Sequence, residues 1–276
     1  MNREDWQNLP LGKETRYESA YNPQLLHPIP RAVSRAHLGI SGDTQPFFGR
    51  DDWWGFELSW LNPKGLPQVA VARFGFPASS PHMVESKSFK LYLNSLNQTQ
   101  FDSWPVVREI LARDLGAAAG APVAVELYPV EDPVLDVAKP AGVCLDQLDI
   151  ETRQYQPDSA LLKLADGAAT VSETLYSHLL RSNCPVTGQP DWATVCVTYT
   201  GPALDREALL AYIVSFREHQ DFHEHCVERI FCDLQQLAGF ESLTVSARYT
   251  RRGGLDINPL RSTEEAAAPP PRFARQ

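Results

Sequence analysis

The order of elements along this chain predicts an α+β protein, an antiparallel sheet with helices laid on one face, built twice. Three observations carry that prediction. Strand-like runs come in hairpin-spaced pairs, each pair is followed by two helical patterns and a further strand, and the sequence lacks the strand–helix–strand alternation that a parallel sheet requires. In the first half, residues 53–61 and 68–76 are aromatic and β-branched runs separated by Asn62-Pro63-Lys64-Gly65, which reads as a hairpin. A helix is expected over 85–96, where Phe89, Tyr92, Leu93 and Leu96 fall on one face, and a second over 103–115. The small residues 116–120 stop the second helix before a strand at 123–128. In the second half, strands at 170–180 and 193–200 flank a turn-rich loop, helices follow at 205–219 and 222–238, and a strand closes the set at 242–249.

The remaining segments are expected to be irregular. Residues 1–50, rich in Pro, Asn, Gly and Arg, read as a surface lead-in, and 131–168 as a connector with scattered Pro and Asp. Residues 263–276, with Ala266-Ala267-Ala268-Pro269-Pro270-Pro271, read as a low-complexity tail, disordered or draped on the surface. The two repeats then occupy 51–130 and 169–262.

With 276 residues and 43% hydrophobic content, the chain can bury one large core or two ordinary ones. A net charge of −9 disfavours a polyanion as the main partner, so no direct nucleic-acid contact is expected. The sequence has no run of about 18 apolar residues, and Met1-Asn2-Arg3-Glu4-Asp5 lacks the apolar region of a signal peptide, so the expectation is no membrane span and a cytoplasmic location. Cys144, Cys184, Cys196, Cys226 and Cys232 are odd in number and form no CxxC pair, which suits reduced thiols.

Chemistry gathers at Ser182-Asn183-Cys184-Pro185-Val186-Thr187-Gly188-Gln189-Pro190-Asp191. This loop holds a thiol and a carboxylate seven positions apart, and it is interrupted by Pro185, Gly188 and Pro190. Cys184 is the candidate nucleophile and Asp191 the candidate proton carrier; a buried, inert cysteine beside a capping aspartate is the competing reading. Glu85 points along the apolar stripe of its expected helix, where its carboxylate needs donors from the protein or from a ligand, or serves as a first-turn glutamate favoured by the helix dipole. His223 and Glu224 open the last helix on its apolar side, which suits a flat, nitrogen-rich heterocycle, or equally a satisfied core histidine and a dipole-complementing glutamate. Arg251-Arg252-Gly253-Gly254 offers cationic donors beside flexible backbone, either a phosphate grip or a plain hairpin turn. His223, His225 and Cys226 diverge on one helix and do not make a metal set. No GxGxxG follows a strand, and no GxxxxGK[ST] occurs.

The run Glu85-Ser86-Lys87-Ser88-Phe89-Lys90-Leu91-Tyr92 and the Cys184–Asp191 loop, together with Phe222-His223-Glu224, resemble the NADPH-dependent 7-cyano-7-deazaguanine reductases, nitrile reductases of queuosine biosynthesis, in their long two-module form. The resemblance extends over most of the chain and is weakest in the connector and tail. It implies tandem tunnelling-fold modules completed by self-association, here as a homodimer, with the E-S-K-S motif in the first module and the reactive cysteine in the second. It implies a covalent thioimide on Cys184, proton transfer by Asp191 and two hydrides from NADPH, with no metal in the reaction. Carried over by position, Val84, Glu85, Ser86, His223 and Glu224 contact the deazaguanine, and Ser86, Lys87, Arg252 and Gly253 hold NADPH. The alternatives are a zinc-dependent purine or pterin hydrolase of the same fold, like GTP cyclohydrolase, and a non-catalytic purine-binding protein.

Overall fold

A computed structural model describes residues 17–41 and 45–276, and the rest of the expected lead-in, 1–16 and 42–44, lies outside the described residues. The chain divides into two compact units. The first comprises residues 1–34, 50–136 and 251–257, and the second 35–49, 137–250 and 258–276.

The first unit contains β1 (Pro28–Pro30), most of the short helix α1 (Arg31–Arg35), β2 (Phe48–Leu61) from Arg50 on, β3 (Pro67–Pro77), β4 (His82–Val84), α2 (Ser86–Ser95), α3 (Trp104–Ala119) and β5 (Ala124–Tyr128). Strand β3 pairs antiparallel with both β2 and β5. The alternation of apolar residues on these strands and the stripe of α2 and α3 meet in a core of Trp53, Trp60, Phe74, Phe89, Leu111 and Leu115. Each such side chain removed from water stabilises the fold by roughly 1.5–3 kcal/mol.

The second unit contains β6 (Val137–Ala138), β7 (Val143–Cys144), β8 (Thr170–Asn183), β9 (Pro190–Pro202), α4 (Arg206–Ser215), α5 (His223–Leu237), β10 (Ser242–Tyr249), the last five residues of β11 (Leu255–Ser262), and β12 (Arg272–Phe273). Its sheet runs β10-β9-β8-β7, antiparallel except for the short parallel edge of β7 on β8. The α+β class with antiparallel sheets is the one the element order predicts.

The repetition goes down to single hydrogen bonds. Glu85 caps α2 by accepting from the amides of Lys87 and Ser88, and Asp205 caps α4 by accepting from those of Glu207 and Ala208. Tyr92 on α2 donates to Asp114 on α3 at 2.7 Å, and Tyr212 on α4 donates to Asp233 on α5 at 2.6 Å. The Ser95 hydroxyl bonds the Tyr92 carbonyl at 2.7 Å, as that of Ser215 bonds the Tyr212 carbonyl at 2.6 Å. Both hairpins carry a register irregularity, between Gly55 and Leu58 in one and between Ser177 and Leu180 in the other.

Four expectations are corrected. The lead-in is no mere surface wrap: β1 pairs with β4, Ile29 is buried, and the buried Arg31 guanidinium reaches Asp51 at 2.6 Å. The tail ends in an anchored segment, with Arg272 and Phe273 buried as β12 beside β6, because one aromatic and one arginine side chain suffice to hold a Pro-rich run. Strand β11 was not expected, since 242–249 read as the last clear strand, yet all eight of its residues are buried. Finally, the cysteine loop is shorter than its sequence suggests, because β8 runs to Asn183 and β9 resumes at Pro190, which puts Asp191 on a strand.

Candidate active site

The hairpin of β8 and β9 builds the first group of predicted residues. Ser182 pairs with Asp191 and Asn183 with Pro190, so only residues 184–189 form the turn. The Cys184 amide donates to the Gln189 carbonyl and the Gly188 amide to the Cys184 carbonyl, both at 2.9 Å. The hairpin end is clamped by Asn183, whose amide donates to the His219 carbonyl at 2.8 Å while its carbonyl accepts from the Asp221 amide at 3.1 Å. Cys184 is thereby fixed at the rim with 6% of its surface exposed. A thiol at that depth is shielded from bulk oxidants yet open to a small electrophile.

Behind the hairpin lies the N-terminus of α5. His223 Nε2 is 3.3 Å from Asp191 Oδ2, and the imidazole stacks on the Tyr249 ring with centroids 3.9 Å apart. The other ring nitrogen, Nδ1, is buried and finds no hydrogen-bond partner among the described residues. Unpaired buried polar atoms are rare and mark places where a ligand completes the set. Glu224, next along, is buried in the first turn of α5, where the helix dipole favours a carboxylate.

His225 and Cys226 do not vary this pocket. His225 Nδ1 turns to Asp221 Oδ1 at 3.2 Å, and Asp221 also faces His219 Nε2 at 3.5 Å. Burial alone would raise the Asp221 carboxyl; the hydrogen bonds and charge of His219 and His225 outweigh it and hold the group well below the usual range. Cys226 is fully buried, and burial pushes its thiol well above the ordinary value, which leaves it inert. Sequence reasoning missed Tyr249 and Asp221, because a stacking partner on another strand and a loop carboxylate leave no local periodic signal.

The second group belongs to the first unit. Val84 ends β4 and pairs with Pro28, and the Glu85 amide donates to the His27 carbonyl at 2.9 Å. Glu85 is fully buried, but it precedes α2 instead of lying on its stripe: its Oε1 accepts from the Lys87 amide at 2.8 Å and its Oε2 from the Ser88 amide at 2.7 Å. Burial pushes its carboxyl up, against the pull of those two amides. Ser86 and Lys87 occupy the half-exposed first turn of α2.

Arg252 and Gly253 sit in a tight turn, with the Arg252 amide donating to the Leu255 carbonyl at 2.8 Å and the Leu255 amide to the Arg252 carbonyl at 3.1 Å. The central residues Gly253 and Gly254 have φ of +57° and +76°, a primed turn that glycine allows. Beside it is a cleft of about 40 Å³ lined by Glu57, Lys90, Asn94 and Gly253, with the Lys90 ammonium 3.5 Å from Glu57. The half-exposed Arg252 and Lys87 side chains and the exposed turn glycine Gly253 are the donor types that suit a phosphorylated cofactor.

Residues 17–127 match the family model described as nitrile reductase, 7-cyano-7-deazaguanine-reductase N-terminal, and residues 190–268 match that of a QueF-like protein. Proteins named NADPH-dependent 7-cyano-7-deazaguanine reductase are 57% identical in Dechloromonas aromatica, covering 94% of this chain and 92% of that one, and 55% identical in Chromohalobacter salexigens, covering 98% and 97%. A third, from an Azoarcus species, is 56% identical over 92% of this chain and 90% of its own. The chain belongs to the NADPH-dependent 7-cyano-7-deazaguanine reductase family.

Proposed function

We propose that the chain reduces the nitrile of 7-cyano-7-deazaguanine to the 7-aminomethyl compound with two NADPH, as a step of queuosine biosynthesis for tRNA modification. The observation that carries the reading is the hairpin that fixes Cys184 at its rim with Asp191 on the adjoining strand, 3.3 Å from His223. A thiolate is a good match for the soft, linear nitrile carbon. Cys184 adds to that carbon while its proton, relayed by Asp191, goes to the nitrile nitrogen, which gives a thioimide. When bound, NADPH supplies hydride twice, first to the thioimide and then to the imine left after the thiol departs. Asp191 carries the accompanying protons, and His223 holds it in place.

In this reading Glu224 accepts from the N–H edge of the deazaguanine, the orphan Nδ1 of His223 faces the same ligand, and Val84, Glu85 and Ser86 contribute further substrate contacts. Each Glu85 oxygen also accepts from one α2 amide, so the same carboxylate holds that turn in shape. Lys87 and Arg252 grip cofactor phosphates, with Ser86 and Gly253 alongside. Residues 51–130 and 169–262 act as two tunnelling-fold modules joined by a connector at 131–168, and the working form is a cytoplasmic homodimer that does not bind nucleic acid directly. Among the described residues no helix is long and apolar enough to cross a membrane.

The test is to mix enzyme, nitrile and NADPH, and to follow cofactor absorbance and product mass together. Two NADPH consumed per aminomethyl product, unaffected by a chelator, is the expected result. A hydrolysed product would overturn the reading in favour of a zinc hydrolase; tight binding of the nitrile without turnover would leave a purine-binding protein.

A further inference from the structure

Away from the Cys184 turn, the second unit brings a thiol, a carboxylate and an imidazole together. Cys144 ends the two-residue edge strand β7, Asp146 follows it in the connector, and His178 stands at the irregularity of β8. One ligand atom from each lies within 4.8 Å of the others, and all three residues are half-buried. Among the described residues this is the one such group of three.

The surroundings orient His178 and Asp146. The Thr194 hydroxyl is 2.8 Å from His178 Nδ1, which fixes the ring and leaves Nε2 to bind, as a metal-bound histidine is normally held by its second nitrogen. Asp146 Oδ1 accepts from the Ser177 hydroxyl at 2.6 Å, and the His178 amide reaches Oδ1 at 3.2 Å and Oδ2 at 3.1 Å, so the carboxylate is aimed while Oδ2 keeps a lone pair. A metal would replace the proton of the Cys144 thiol.

We propose that Cys144, Asp146 and His178 bind one zinc ion, with water in the fourth position, and that the ion staples the connector to the sheet edge. Thiolate with imidazole selects zinc over magnesium or calcium. Tetrahedral zinc with ligands at about 2.0–2.3 Å sets them roughly 3.3–3.5 Å apart, so atoms within 4.8 Å of one another close by at most about 1.5 Å, within the reach of side-chain rotation. The ion adds to a short edge, where two register pairs, Val143 with Leu175 and Cys144 with Tyr176, are followed by the Leu145 amide bond to the Tyr176 carbonyl at 2.9 Å. The site takes no part in nitrile reduction.

The test uses the full-length chain, stripped with a chelator, then titrated with zinc against a chromophoric competitor and separately with cobalt(II). One zinc per chain is expected, and the cobalt form should show a thiolate charge-transfer band and the strong visible bands of four-coordination. Cys144→Ser should abolish the charge-transfer band, Cys184→Ala should keep it, and Thr194→Val should keep it while weakening zinc binding about 10–100-fold. Reductase activity of Cys144→Ser within twofold of wild type certifies its fold; if that variant does not fold, loss of zinc in His178→Gln serves instead. No zinc retained by the wild type, or an unchanged band in Cys144→Ser, would overturn the proposal.

Discussion

Cys184 stands where the first unit has Asn62. Both follow the last residue of a long strand and precede a proline, and in both turns the amide of this residue donates across the hairpin, from Asn62 to the Leu66 carbonyl at 3.0 Å and from Cys184 to the Gln189 carbonyl at 2.9 Å. In each, a glycine amide returns to the same residue's carbonyl at 2.9 Å, from Gly65 to Asn62 and from Gly188 to Cys184. The turn is therefore a structural device of the repeat, and the thiol is what the second copy adds. Cys184→Asn should fold with an unchanged thermal midpoint in calorimetry and show no nitrile reduction; a loss of folding would mean that the cysteine itself holds the turn. Glu224→Gln, which removes charge and keeps shape, should weaken binding of the nitrile by about 1.5–3 kcal/mol in titration calorimetry, the usual worth of a hydrogen bond to a charged group. Cys184, Asp191, His223 and Glu224 were legible in the sequence as a motif. Their proximity was not, because the 3.3 Å approach of His223 to Asp191 joins an inter-strand pair to a helix start thirty-two residues on.

At the scale of elements, periodicity found the four long helices because their apolar stripes are regular, and it placed the start of α2 one residue early because a capping glutamate looks like a helical one. It missed β11 because a strand buried throughout carries no alternation, and Pro259 argues against it. The turn before β11 gives the clearest test of local conformation. Gly254 has φ of +76°, and a Cβ there would come within 2.4 Å of the Glu57 side chain. Gly254→Ala should destabilise the protein by about 1–2 kcal/mol in urea unfolding, the cost of a left-handed L-residue. An unchanged midpoint would show that the turn relaxes into another type.

The molecule as a whole carries a net charge of −9, and its acid response is set by a few buried carboxylates rather than by that total. In the second unit, Glu228 on α5 is fully buried between Arg35 at 2.7 Å and Arg261 at 2.9 Å, so α5, the last residue of α1 and β11 are tied at one point. Burial would raise the carboxyl, but the Arg261 charge and the Arg35 hydrogen bond outweigh it and bring it down to about 2. Because the folded value lies below the unfolded one, this stabilisation is complete above the ordinary glutamate range and is lost as pH falls from about 5 toward 2. Asp221 works in the same direction. Urea midpoints should therefore drop steeply over that window, and Glu228→Gln should flatten the drop while costing about 3–5 kcal/mol at neutral pH, because two guanidinium groups lose their counter-charge. A midpoint that stays level down to pH 3 would contradict this. That Arg252 and Gly253 belong to the first unit could not be read from the sequence, which put them in the second repeat, whereas the doubling of the fold could, since the two copies share order and spacing. The most direct measurement on the whole account is the intact mass of the protein after mixing with 7-cyano-7-deazaguanine in the absence of NADPH. The wild type should gain one substrate mass and Cys184→Ala none; an equal gain in both, or none in either despite demonstrated binding, would contradict Cys184 as the nucleophile.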